Sequence, residues 1–141
     1  MSRLARIASL AVFAALAGCA SMQAEETGQL LRLYGTAEVP PVDTPAYGTA
    51  TVNVMADRDV VVTLSVVNMT PTAAHIHEGA AGANGPVIVP LRKISDNAFV
   101  AADGARLTDA QYAAYKAGNT YVNVHSAKFP GGEVRAQIAG R

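Results

Sequence analysis

The chain holds three histidines, spaced like a ligand set. His75 and His77 stand two apart in Ala74-His75-Ile76-His77-Glu78-Gly79, and His125 ends Tyr121-Val122-Asn123-Val124-His125. Side chains alternate along a β-strand. If both stretches are extended, His75 and His77 project from one face, and His125 shares a face with Tyr121 and Asn123. Ile76, Val122 and Val124 then point the other way, into a core. Three neutral imidazoles meeting at one surface outline a metal site, because imidazole suits copper, zinc, iron and nickel. In the plainer alternative the rings hydrogen-bond to the adjoining glycine-rich loop and to a backbone carbonyl, and only fasten strands.

The ligand type leaves the metal open. Cu(II) takes tetragonal nitrogen and oxygen donors and leads the divalent affinity order at a given site, whereas three histidines with one open position equally describe catalytic zinc. Glu78 faces away from His77 if the strand continues, which suits it to receiving an imidazole N–H rather than to ligation. Asn123 and Tyr121 read either as donors to the ligands or as an exposed polar stripe. Met69 is close enough in sequence to serve Cu(I), but an unbranched apolar methionine ordinarily packs in a core. Gly79 to Gly85, Gly-Ala-Ala-Gly-Ala-Asn-Gly, is a loop by composition and the expected rim of any site beside the paired histidines. Other chemistries lack their residues: there is no Gly-x-Ser-x-Gly elbow, and the loop has neither the lysine nor the strand-to-helix setting of a phosphate cradle.

The elements that must carry these side chains are short runs of valine, threonine and tyrosine divided by glycine, proline and asparagine. That is the pattern of an all-β Greek-key sandwich or barrel, of superoxide-dismutase-like or immunoglobulin-like type. Strands are expected near Leu30 to Glu38, Ala46 to Met55, Val60 to Asn68, Ala73 to His77, Val87 to Leu91, Asn97 to Ala102, Thr120 to His125 and Glu133 to Ile138. Asp57-Arg58-Asp59 makes a tight hairpin turn. Val39-Pro40-Pro41-Val42 cannot continue a central strand, because proline donates no ladder hydrogen bond, and should cross between sheet edges. One short helix is expected, N-capped by Thr108 and ending at Gly118, with Tyr112, Ala113 and Tyr115 as its packing face.

The amino-terminal end reads as an address. Arg3 and Arg6 precede an apolar run of about ten residues from Ile7 to Leu16, too short to span a bilayer. The run ends in Leu16-Ala17-Gly18-Cys19, which resembles the bacterial lipobox. The resemblance implies a signal peptide over 1–18, lipidation of Cys19, a polar tether over 19–29 and a folded domain over 30–141. Neither Ala20 nor Ser21 is the acidic residue that retains such lipoproteins on the inner membrane, so the outer membrane is the expected anchor and the lipid the only membrane contact. Loss of Arg3 and Arg6 leaves nine of the eleven basic residues against eleven acidic ones, a formal charge of −2. With the remaining basic residues scattered singly, a nucleic-acid partner is not expected. With Cys19 as the sole cysteine, no disulfide forms within the chain, and the fold depends on its core.

From about Leu31 to Ile138 the chain resembles the CHRD domain, the module first described in chordin. Leu33-Tyr34-Gly35-Thr36-Ala37-Glu38-Val39-Pro40-Pro41-Val42 resembles its opening. Ala73-Ala74-His75-Ile76-His77-Glu78-Gly79 and Asn84-Gly85-Pro86-Val87 resemble its centre, and Tyr121 to Ser126 with Pro130 to Ile138 its close. In chordin such domains are set among binders of extracellular signalling proteins, so the resemblance implies a metal-free interaction module that binds an envelope or extracellular protein as one function. The central motif is also similar to copper/zinc superoxide dismutase, where a His-x-His-Glu strand and a later Val-His supply copper ligands on a Greek-key barrel. His75, His77 and His125 match those positions, and Arg135 loosely resembles the arginine that guides substrate. No fourth histidine, zinc cluster or disulfide cysteines accompany them. That second resemblance favours copper over zinc. The resulting expectation is an envelope-anchored protein that handles copper, with dismutase-like chemistry as a lesser role and turnover left open.

Overall fold

The computed structural model describes residues 28–141. The segment 1–18, Cys19 and all but the last two residues of the 19–29 tether lie outside the described residues. Eight antiparallel strands close into one barrel: β1 (Gln29–Tyr34), β2 (Tyr47–Val54), β3 (Val60–Val67), β4 (Pro71–Glu78), β5 (Val87–Ser95), β6 (Ala98–Ala101), β7 (Thr120–Ser126) and β8 (Val134–Ile138). The order around the barrel is β1-β2-β3-β6-β5-β4-β7-β8. β4, β5 and β6 follow one another as neighbours, and β7 returns over a long connection to lie beside β4, which is a Greek key. The choice between sandwich and barrel is thereby resolved as a closed barrel.

Alternation builds the core. β3 reads buried and exposed in strict turn, so Val60, Val62, Leu64 and Val66 enter the interior, where they meet Leu33, Val52, Ile76, Phe99, Val122, Val124 and Val134. Met69 is partly buried against the same cluster, as expected of core packing. The hairpin joining β2 to β3 turns at Arg58, whose φ is 78°, with Asp59 N–H donating to the Asp57 carboxylate at 3.2 Å. The one α-helix among the described residues, α1 (Asp109–Lys116), begins at a complete capping box: Gln111 N–H donates to Thr108 Oγ1, and Thr108 N–H to Gln111 Oε1. Tyr115 is buried beneath it.

Two expectations change. The first strand stops at Tyr34 rather than Glu38, because a single 3-10 turn, Gly35–Ala37, follows, and the Gly35 carbonyl accepts from Glu38 N–H and Val42 N–H. The Pro40-Pro41 connector links β1 to its own neighbour β2 instead of crossing sheets, since a closed barrel has no edges to cross between. This segment, Gly79–Gly85 and the turn before β8 all bear on the outer face of β4, β7 and β8, where the histidines lie.

Candidate metal centre

Register brings the rings together. In the β4–β7 pairing, His75 stands opposite Asn123, Ala73 opposite His125 and His77 opposite Tyr121. His125 is thus diagonal to His75, within reach of a long side chain. Ala74 and Ile76 face the core, which turns His75 and His77 outward, as alternation requires. The result is one cluster: each ring offers a ligand nitrogen, and these nitrogens all lie within 4.8 Å of one another. Ring centroids are 4.8 Å apart for His75 and His125, 5.6 Å for His75 and His77, and 6.1 Å for His77 and His125.

Backbone carbonyls fix which nitrogen each ring presents. His77 Nδ1 lies 2.9 Å from the Gly85 carbonyl and His125 Nδ1 lies 2.9 Å from that of Pro130. A carbonyl only accepts, so both Nδ1 atoms carry the proton, and in each neutral ring Nε2 keeps a lone pair. His75 Nδ1 sits 3.0 Å from His125 Nε2 and donates to it. His77 Nε2 is buried with no hydrogen-bond partner among the described residues. This is the pattern of ligating histidines, whose second nitrogen is held by an outer partner. With bonds of 2.0 to 2.1 Å, two nitrogens on one ion stand about 3 Å apart at a right angle and about 4 Å apart in line. The His75–His125 pair already has the first spacing, and a separation of 4.8 Å must close by about 1 Å for an in-line pair and by about 2 Å for a right-angled one.

Burial keeps two of the three rings neutral. Burial, with the neighbouring His125 and His77, lowers His75 to about 4, and burial also lowers His125, opposed by its bond to the Pro130 carbonyl. Both rings are therefore lone-pair donors at neutral pH.

The other sequence candidates are placed as follows. Tyr121 and Asn123 are each 2 % exposed, so the exposed-stripe reading fails: the covering segments bury that part of the outer face. Tyr121 stacks on His77 with planes 3° apart. The Asn123 amide lies against the Glu38 carboxyl instead of an imidazole. Glu78 is half-buried, and the imidazole N–H groups expected to reach it go to Gly85 and Pro130. Arg135 is 1 % exposed, so its charge is withdrawn from solvent; its Cζ lies 3.4 Å from the Tyr121 ring centroid. The glycine-rich loop and a backbone carbonyl were expected as partners in the plainer alternative and are found at Gly85, for His77, and at Pro130, for His125; Glu38 was not expected from the sequence. The signal for the first two was proximity: the glycine loop follows His77, and Pro130 stands five residues beyond His125.

Glu38 is buried, which pushes its carboxyl up to about 7 against the opposing pull of Arg135, Asn123 and the Val39 backbone. It faces a cleft of about 410 Å³ lined in part by Pro40, Lys128, Phe129 and Gly132.

Among comparisons with known proteins, the CHRD domain family matches residues 31–138, which takes in all three histidines. No curated protein and no solved structure matches the chain.

Proposed function

The chain belongs to the CHRD domain family, and from that premise we propose that this member binds one copper ion through His75 Nδ1, His77 Nε2 and His125 Nε2 and serves copper handling in the cell envelope. The lipidation motif at Cys19 supports an anchor in the outer membrane.

One observation carries the reading. Strand fastening accounts for the bonds at His75, His125 and His77 Nδ1, but it leaves His77 Nε2 buried and unpaired. An orphaned buried acceptor costs about 1 to 3 kcal/mol, and a metal ion is a partner that removes that cost. The all-imidazole set supports copper, and zinc is the rival such ligands also accept. His75 and His125 are only half-buried, which leaves an ion there a side open to solvent. Such access serves uptake and transfer, and it is also what dismutase-like chemistry requires. The buried Arg135 offers a substrate anion no steering, which favours the carrier over the catalyst.

The test is titration of the purified protein with Cu(II), Cu(I) and Zn(II), repeated on His75→Ala and His125→Ala. One equivalent bound tightly by wild type and lost in both variants supports the site. Equal, weak uptake by all three removes it and leaves the protein-interaction module as the reading. A superoxide assay on the copper-loaded protein separates carrier from catalyst.

A further inference from the structure

The three ligands are held unequally. His77, the most buried, depends on a single carbonyl in a loop that carries Gly79, Gly82 and Gly85 within seven residues. Glycine-rich backbone loses much conformational freedom when it is fixed, so such a loop stays put only where something ties it down. The tie is Arg135. Its Nη2 donates to the Ala83 carbonyl at 2.8 Å and its Nη1 to Asn84 Oδ1 at 3.1 Å. Asn84 Nδ2 then donates to the Val39 carbonyl at 2.7 Å, tying the same loop to the proline connector. The next residue, Gly85, gives its N–H to the Tyr121 hydroxyl at 3.2 Å and its carbonyl to His77. Tyr121, on the strand between β4 and β8, is packed with the guanidinium on one side and the imidazole on the other.

We propose that Arg135 is a positioning residue for His77: by clamping Ala83 and Asn84 over Tyr121, it sets the Gly85 carbonyl that keeps the His77 proton on Nδ1 and Nε2 free for a metal ion. The inference rests on the copper reading for its purpose, but its geometry concerns the metal-free protein. A planar fork reaching two acceptors is a task for arginine, and lysine, with one ammonium, reproduces only part of it.

The experiment is nitrogen NMR of histidine-labelled full-length protein, which reads tautomers directly, together with Cu(II) titration of wild type, Arg135→Met, Arg135→Lys and Asn84→Ala. Wild type should show His77 as one tautomer with Nδ1 protonated. In Arg135→Met and Asn84→Ala, His77 should become a mixture of tautomers, and Cu(II) affinity should fall by about 10- to 100-fold, the usual effect of losing an outer partner of a metal ligand. Arg135→Lys should fall between. Asn84 is exposed, so its variant decides the matter if Arg135→Met does not fold. Folded variants with an unchanged His77 tautomer overturn the inference, whatever their stability. A wild type that binds no copper while the tautomers shift as described overturns the metal reading and leaves the positioning role standing.

Discussion

His75 Nδ1 and His125 Nε2 lie 3.0 Å apart across the β4–β7 ladder, although fifty positions separate them in the chain. One proton occupies the space between them. An ion that binds both nitrogens must shift His75 to its other tautomer, the ring gaining a proton at Nε2 as it gives one up at Nδ1, with no net uptake or release.

His75 should therefore titrate far from the ordinary histidine value. In the metal-free protein its ring carbon resonances should shift with a midpoint near pH 4 instead of near 6.5. His125→Ala removes one of the named causes but leaves the burial, so the midpoint should rise part of the way. A wild-type midpoint near 6.5 would contradict the described packing.

The shifted histidines and Glu38 pull stability in opposite directions with pH. His75 is lowered to about 4, so as pH falls from 6.5 the unfolded chain takes up the proton first and stability declines towards pH 4. Glu38 is raised to about 7 from 4.5, so the folded protein keeps a proton the unfolded chain has lost, and stability declines as pH rises from 4.5 through 7. His125, lowered in the same direction as His75, adds to its slope, so the urea midpoint of wild type should climb gently between pH 4.5 and 6.5. Glu38→Gln removes the opposing slope, and its midpoint should climb more steeply over that window. Parallel profiles for the two proteins would be the contrary result.

Gly132→Ala should destabilise the fold by about 1 to 3 kcal/mol, the cost of a strained backbone position. Gly132 has φ of 129°, and an added Cβ meets the Glu38 carboxyl and, at 2.7 Å, the Asn123 amide. Denaturant unfolding at pH 7 measures it. A loss smaller than the error of that measurement would mean that the turn before β8 is held less tightly than described.

Thr108→Ala should cost about 1 kcal/mol, typical of a lost N-cap, and leave copper binding untouched, since the capping-box bonds run only between Thr108 and Gln111. Thermal unfolding and the metal titration check the two halves separately.

Much of this was legible in the chain. Valine alternation placed the strands to within a few residues, and Thr108 marked the helix start, because these signals are local. The facing of His75, His77 and His125 followed from the same period of two. The covering of the outer face was not legible: alternation says which side Tyr121, Asn123 and Arg135 take but not what lies on top of them. That depends on where the proline connector and the glycine loop return, a tertiary matter. The acceptors at Gly85 and Pro130 are main-chain oxygens, which every residue owns, so no residue type announces them.

Between β8 and β1 the ladder holds a single register pair, Tyr34 with Arg135, and the Gln29 side chain bridges the other end to Ala139. A closed cylinder with one thin seam has a preferred place to part, and amide exchange should be fastest there. Parting would bare two strand edges to neighbouring molecules, the usual beginning of cross-β aggregation. The arginine at that seam is the one that secures the loop over His77, so the first breath of unfolding and the loosening of the imidazole cluster are one event.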